Sequence, residues 1–479
     1  MSADPLRCPH SLLLCSPSGR AAVRFEPTMG RSPRKFLMLT AVAGALFAAG
    51  VVRAQSIDIS GHLRSTWVGK QAGQLGPLAQ ANALVPGLAT AEPSAATLQA
   101  EWRAATKVGQ VALNATATLQ SQRPEGGPGH TTGWVNEAVA SGSFDAGQRA
   151  ATGAAQGPAS GLAGWQWSVG KKVVSWDVGY AFRPNDVVQQ EVRRGLAPVT
   201  LTGRPLVMLE HFDADTAWSL VGVNPTSAKA LTAIDRSGDE AALAARVYQR
   251  AGDADWHGFA RWGRRTGGSV GAAVSWVASD ALELHASARH FSHVDALAVA
   301  DTTSSAPPGT ALRTHTPWQT ALMGPGQQVL VGGTWTSESQ ISLLAEVWYD
   351  GAALSQSQWR QWAARNQGLP AWRALGVPAQ AVAGNLAWQG SAFSAATTGS
   401  LHRQNLYARL SWTHEAWQPA LDVLYHPVDG GRMVTANLVW QGDRVKLEGG
   451  VRVNGGPKAS VARQLPVQKQ AYLMGTWAF

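Results

Sequence analysis

The residues richest in chemistry are arginines at alternate positions. Arg246 and Arg250, Arg261 and Arg265, and Arg289 fall on three nearby stretches. The intervening positions there are apolar: Leu243, Ala245 and Val247; Trp256, Ala260 and Trp262; Leu284, Ala286 and Ala288. Arg409 and Arg452 repeat the pattern further along. Guanidinium groups spaced along a wet wall attract anions and perform no covalent step. The same side chains could instead brace that wall by pairing with Glu101, Glu283, Glu346 or Glu448. A second charged set, Asp177, Arg183, Asp186, Glu191, Arg193 and Arg194, shares one segment with Pro184. Polar, irregular backbone survives at membrane depth only against a wet cavity. The segment therefore reads as an inward-folded constriction or as an ordinary outer loop.

Covalent chemistry finds less support. The chain has no GxSxG, P-loop or HExxH pattern and no metal-ligand spacing among its 12 His. His285, Ser287 and Asp422 could form a hydrolytic set only if distant strands brought them together. No cofactor is implied. The expectation is a non-enzymatic passage for polar, anionic solutes, by diffusion. A lipid-hydrolysing barrel and a closed structural or adhesion barrel are the alternatives.

Strands must position these residues. Only 15% of the 479 residues are charged, against roughly 25% in soluble domains. After residue 55 no apolar run reaches the ~20 residues of a spanning helix. Few charges and no spanning helix leave a β-barrel as the membrane solution. Segments of about ten residues alternate apolar with polar positions, as barrel strands do. Val111, Leu113, Ala115, Ala117 and Leu119 alternate with Asn114, Thr116, Thr118 and Gln120. Val445, Leu447, Gly449, Val451 and Val453 alternate with Lys446, Glu448 and Arg452. Such segments number about 18, predicting an all-β, transmembrane antiparallel barrel with long outer loops and short periplasmic turns. Trp256, Trp276, Trp335, Trp412, Trp417, Trp440 and Trp477 fall at the periplasmic strand ends, where indole favours the interface. Residues 355–365 suit a short helix in an outer loop.

The N-terminus indicates export. Arg31, Arg34 and Lys35 precede an apolar run from Phe36 to Gly50, then Val52-Arg53-Ala54. This predicts an upstream extension plus a Sec signal peptide over 1–54, with the true start at Met29 and the barrel over 55–479. Both Cys8 and Cys15 leave with it. Seven basic and two acidic residues leave too, taking the net charge from +9 to +4. That removes most of the case for a nucleic-acid partner. The final strand ends in Phe479, with Trp477, Gly475, Leu473 and Ala471 on its face. It suits recognition by barrel-assembly machinery. Lipid and a polar or anionic solute are the other expected partners, and the Gram-negative outer membrane is the expected site.

Two segments carry a resemblance. Trp134-Val135-Asn136-Glu137-Ala138 is followed by Gly170-Lys171-Lys172, Trp176-Asp177 and Pro184-Asn185-Asp186. This resembles porin-like outer-membrane barrels of the alginate-export family and its uncharacterised relatives. There, an "NEA" strand precedes a "G-K/R-Q…W-G…P-x-D" strand and loop. Lys172 stands where Gln is common, and Asp177 where Gly is common. The motif spans about 50 residues. It implies passage of polar solutes or an acidic polysaccharide.

Overall fold

Alternation of apolar and polar residues closes the chain into a cylinder. The computed structural model describes residues 56–89, 92–144, 164–189, 195–196, 200–225, 240–299, 318–396 and 399–479. Its strands begin with β1 (Asp58–Ala72), β2 (Ala95–Val108), β3 (Val111–Pro124), β4 (His130–Ser143) and β5 (Trp165–Lys172). After a long connection come β6 (Arg204–Phe212), β7 (Thr216–Val223), β8 (Ala242–Ala251), β9 (Ala254–Gly263), β10 (Gly267–Ser279) and β11 (Leu282–Phe291). β12 (Val294–Val299) and β13 (Trp318–Met323) form a separate two-stranded sheet. The barrel resumes with β14 (Gly326–Thr336), β15 (Ile341–Asp350), β16 (Gln404–Trp412) and β17 (Trp417–His426). It ends with β18 (Gly431–Gln441), β19 (Val445–Gly455) and β20 (Val467–Ala478).

Each barrel strand pairs antiparallel with its neighbours, and β20 returns to β1, closing an 18-stranded sheet. Gly61 and Phe479 seal the seam by exchanging two backbone hydrogen bonds of 3.0 Å. Closure leaves none of the 18 barrel strands as an edge. At one end the strands are joined mostly by short turns; Gly109 and Gly252 adopt φ of +61° and +60° there, a conformation glycine accepts without Cβ strain. The opposite end carries most of the long connections, the one between β4 and β5 being rooted at the turn end.

The two faces differ as the alternation requires. Leu220 is 49% exposed on the outside while Val221, one residue on, is fully buried inside. Val451, Leu421 and Leu473 are exposed on the same outer surface. A continuous belt of exposed Leu, Val and Trp side chains is covered only by lipid. Among the described residues no helix is long and apolar enough to cross a membrane. Trp256, Trp276, Trp335, Trp412, Trp417 and Trp477 are exposed at the turn end, and Trp440 is half-buried beside them. Together they form an interfacial girdle.

At the loop end three helices pack together: α1 (Pro77–Leu84), α2 (Gln356–Gly368) and α3 (Ala379–Ala396). Ser355 caps α2 in a reciprocal capping box with Gln358, so the expected helix exists and runs three residues further. Ala81 of α1 packs on Leu369, Val382 and Leu386. Trp318, Trp359 and Trp362 form a second apolar cluster with Leu401, Val461 and Leu465. Their indole N–H groups donate to Leu401 O (Trp359) and Gln389 O (Trp318 and Trp362), at 2.8–3.3 Å.

Candidate functional site

The connection between β5 and β6 turns into the barrel. Its underside is apolar: Val174, Trp176, Val187 and Val188 pack on inner-face residues of β6 to β10, among them Met208, Val221 and Phe259. Trp176 stacks on Phe259 with centroids 6.5 Å apart. Each such side chain contributes about 1.5–3 kcal/mol on burial. Ala181 then reaches Leu330, Trp348, Tyr407 and Leu424 on β14 to β17. Apolar residues on this inner face are thus a seat for the segment.

Strand β4 holds both roots of the segment. The β3–β4 register slips between Thr116 and Ala117, leaving Asn136 as the extra residue of a bulge, and a bulge re-aims a side chain. Asn136 accepts from Thr118 Oγ1 at 2.6 Å and donates to Leu201 O at 3.1 Å. Its carbonyl accepts from Gly203 N at 2.8 Å. The neighbouring Glu137 Oε1 accepts from Val173 N at 2.8 Å. The Asn136-Glu137 pair of the sequence motif therefore clamps the start and the end of the inward fold.

The tip is a buried polar knot. Asp186 Oδ1 accepts from Ser175 Oγ (2.9 Å) and Trp176 N (3.0 Å), and Oδ2 from Arg183 Nε (2.8 Å). Arg183 also donates to Gly179 O at 3.0 Å. Asn185, fully buried, donates through Nδ2 to Ser287 Oγ (2.9 Å), Ala288 O (3.0 Å) and Ala272 O (3.3 Å). A Cβ on Gly271 would collide with Asn185 Oδ1, so only glycine leaves room at that wall position. Tyr180 and Ala181 donate their N–H groups to Glu346. Arg289 donates to Pro184 O at 3.3 Å and to Ser269 Oγ at 3.2 Å. Further along, Gly195 O accepts from Arg452 of β19, and Thr200 Oγ1 from Gln99 of β2. The segment thus makes contacts from β6 around to β19 and back to β2.

The expected arginines divide among several places. Arg183, Asp186 and Arg289 meet at the tip. Arg409 faces it: its guanidinium lies 6.0 Å from the Tyr180 ring and bonds Asp422 at 2.9 Å. Arg246 lies on the inner face of β8, 3.2 Å from His257 Nδ1. Arg250 stands exposed at the turn end of that strand. Arg261 pairs with Glu240 at 3.2 Å, both buried. Arg265 does not sit on a strand facing the lumen. It lies in the turn between β9 and β10, bonded to Asp295 of β12 at 2.5 and 2.6 Å, because Gly263 ends the strand first. Arg193 and Arg194, with Glu191, lie outside the described residues.

Bracing does occur, mostly through other acids than those expected. Glu240, Asp295, Asp422 and Asp186 take arginines. Glu346 takes backbone N–H groups and His285, and Glu448 accepts from Tyr472 at 2.6 Å. Glu101 does pair with an arginine, Arg103, at 3.2 Å. His285, Ser287 and Asp422 form no hydrolytic set. His285 lies 3.0 Å from Glu346, Ser287 accepts from Asn185, and Asp422 binds Arg409. Among the described residues no group of three His, Cys, Asp or Glu is placed to hold a metal.

At the loop end of the barrel the carboxylates of Glu240 and Asp429 are tuned. Burial works against ionising Glu240, yet the Thr266 hydroxyl, the Arg265 N–H and Arg261 outweigh it and hold the carboxyl below its ordinary range. Burial also opposes ionisation of Asp429. Hydrogen bonds from His402, Val461 N and Gly431 N prevail and bring it down to about 2. That knot ties three outer connections together, with His402 Nε2 2.9 Å from Asp429.

No protein-family profile matches the chain, and no curated protein matches it. The alginate-export likeness therefore rests on the two motif segments alone. Among solved structures the chain resembles Acinetobacter baumannii OccAB1, at 11% identity over 88% of this chain and 96% of that one, TM-score 0.48. It also resembles OccAB3 of the same organism, at 7% identity over 88% and 99%, TM-score 0.45. A mutant of Rh. blastica porin is similar at 12% identity over 88% and 100%, TM-score 0.39. At such identities these are likenesses only, and the barrel is established by its own strand pairing.

Proposed function

We propose that the protein is an outer-membrane channel through which polar solutes diffuse, narrowed by the segment between β5 and β6. One observation carries this reading. A closed barrel with a lipid-covered exterior holds a polar, hydrogen-bonded segment against its inner wall, the arrangement of a constricted wet passage. Exterior lipid and interior water fit the outer membrane, and a terminal strand ending in Phe479 suits barrel-assembly machinery. Nothing in the reading requires a covalent step.

The solute class we favour is anionic. Arg246, Arg250, Arg289 and Arg409 stand on the inner face, and Arg183 belongs to the tip. The field of Arg409 and Arg183 is moderated by the acids bonded to them, Asp422 and Asp186, so the preference is graded rather than absolute. An acidic polysaccharide, the solute the motif implies, is the larger member of this class. The test is single-channel conductance of the refolded protein in a planar bilayer, with reversal potential in a salt gradient. Steady conductance with anion preference supports both parts. Cation preference keeps the channel and removes the anionic solute. Absence of conductance from demonstrably folded protein removes the channel in favour of a closed structural barrel or a hydrolase.

A further inference from the structure

One wall carboxylate reaches the tip of the inward segment. Glu346 projects inward from β15 and is 1% exposed. Its Oε1 accepts from Tyr180 N at 2.6 Å and its Oε2 from Ala181 N at 2.7 Å. The same Oε1 lies 3.0 Å from His285 Nε2 on β11. Two successive backbone N–H groups aimed at one anion form a small nest, and bonds to a charged acceptor are the stronger kind. The wall is shaped for the pair. A Cβ on Gly332 would stand 2.6 Å from His285 Nε2 and 2.7 Å from Glu346 Cγ.

What the carboxylate holds is a side chain facing Arg409. The Tyr180 ring stacks on Tyr407 with centroids 6.0 Å apart and planes at 26°. The Arg409 guanidinium lies 6.0 Å from the same ring, within cation–π range. Arg409 is in turn bonded to Asp422 at 2.9 Å. A continuous chain of contacts therefore runs from Glu346 through the Tyr180 backbone to the charged pair on β16 and β17.

We infer that Glu346 is the positioning residue of the passage: by gripping the Tyr180 and Ala181 N–H groups it fixes the Tyr180 ring against Tyr407 and Arg409, and so sets both the width at the tip and the charge presented there. The consequence for flow rests on the channel reading, whereas the grip itself does not. A carboxylate suits the role because it offers acceptors on both oxygens. Glutamine would turn an NH2 group towards one of the two N–H donors and keep a single bond.

The experiment combines amide hydrogen exchange across residues 177–186 in micelles with single-channel recording, for wild type, Glu346→Ala and Glu346→Gln. Heat-dependent gel migration confirms that each barrel is closed. Glu346→Ala is expected to speed exchange at Tyr180 and Ala181 by at least about a hundredfold, the effect of losing two charge-assisted bonds, with strand amides unchanged. Its conductance should rise and flicker, and its reversal potential should move as Tyr180 leaves Arg409. Glu346→Gln should fall between the two, and it carries the test alone if the alanine variant fails to fold. Unchanged exchange in a folded variant overturns the inference, whatever the conductance. Faster exchange in a protein that conducts nothing upholds the grip and refutes the channel.

Discussion

Replacing Asn185 with aspartate keeps the size of the side chain and inverts what it offers. Asn185 Nδ2 donates three bonds into the wall, two of them to the carbonyls of Ala288 and Ala272. Its Oδ1 is buried with no hydrogen-bond partner and lies over Gly271. An aspartate would bring an acceptor against those two carbonyls. The two N–H hydrogens, one of them shared between two of the three acceptors, are worth about 2–3 kcal/mol together. Burying a carboxylate without a partner adds several kcal/mol, limited by the group taking up a proton instead. The loss in tip docking should therefore be on the order of 4–6 kcal/mol. Asn185→Ala forfeits the same three bonds but also deletes the unpartnered oxygen, whose burial costs about 1–3 kcal/mol. Its net loss should be only about 0–2 kcal/mol. The assay is amide exchange over the tip at about pH 8 and again at about pH 5, where protonation returns one donor to the aspartate. The Asn185→Asp variant is expected to undock the tip at the higher pH and partly recover at the lower. If the aspartate and alanine variants behave alike, the assignment of Asn185 as a donor into the wall is wrong.

The outer face predicts that Leu421→Arg, at mid-strand and 44% exposed, costs about 2–4 kcal/mol in lipid, read from denaturant titration in vesicles; an unaltered midpoint would mean that this face does not meet lipid. On the inner face, Asp422→Asn removes the carboxylate from Arg409 and should shift the reversal potential towards anions. That shift should be larger at about 0.1 M than at about 1 M salt, as the Debye length falls from about 10 to 3 Å, and no shift at low salt would refute it. Because Asp429 titrates lower folded than free, it stabilises the outer knot above its ordinary carboxylate range. The contribution fades as the pH drops towards about 2. Acid titration followed by Trp359 fluorescence should show a step in that window, and Asp429→Asn should lack it. Glu240→Ala strips the carboxylate from buried Arg261 and should cost about 3–5 kcal/mol, visible as a lowered thermal midpoint.

Much of this fold is written in short-range pattern. Period-two alternation in runs such as Val445 to Val453 marks which residues face outward, and strand parity then fixes which connections share an end. The helix after Ser355 was legible because its N-cap and Gln358 are local. Arg265 was misplaced because alternation continues by inertia past a strand's end, while the turn is set by where Gly263 meets the Glu240 cluster. The β12–β13 pair falls within one long connection, its two short strands set apart by residues 300–317, so no local turn signal announces it.

The site was legible as composition but not as contact. A polar segment with Pro184 had to fold inward or lie outside, and residues 177–189 pack on the inner wall of the barrel. Its anchors could not be seen because they lie on strands far along the chain. Glu346 is 166 residues from Tyr180 and Ser287 is 102 from Asn185. Alternation gives each residue a face but not its height along the barrel, and a partner needs both. The same gap explains the arginines. Arg409 and Asp422 are cross-strand partners, so their charges neutralise locally, and a count of basic residues on one face overstates the field. What the inner wall does to a solute is therefore decided by register, which determines the arginines that meet a carboxylate and those that meet the tip.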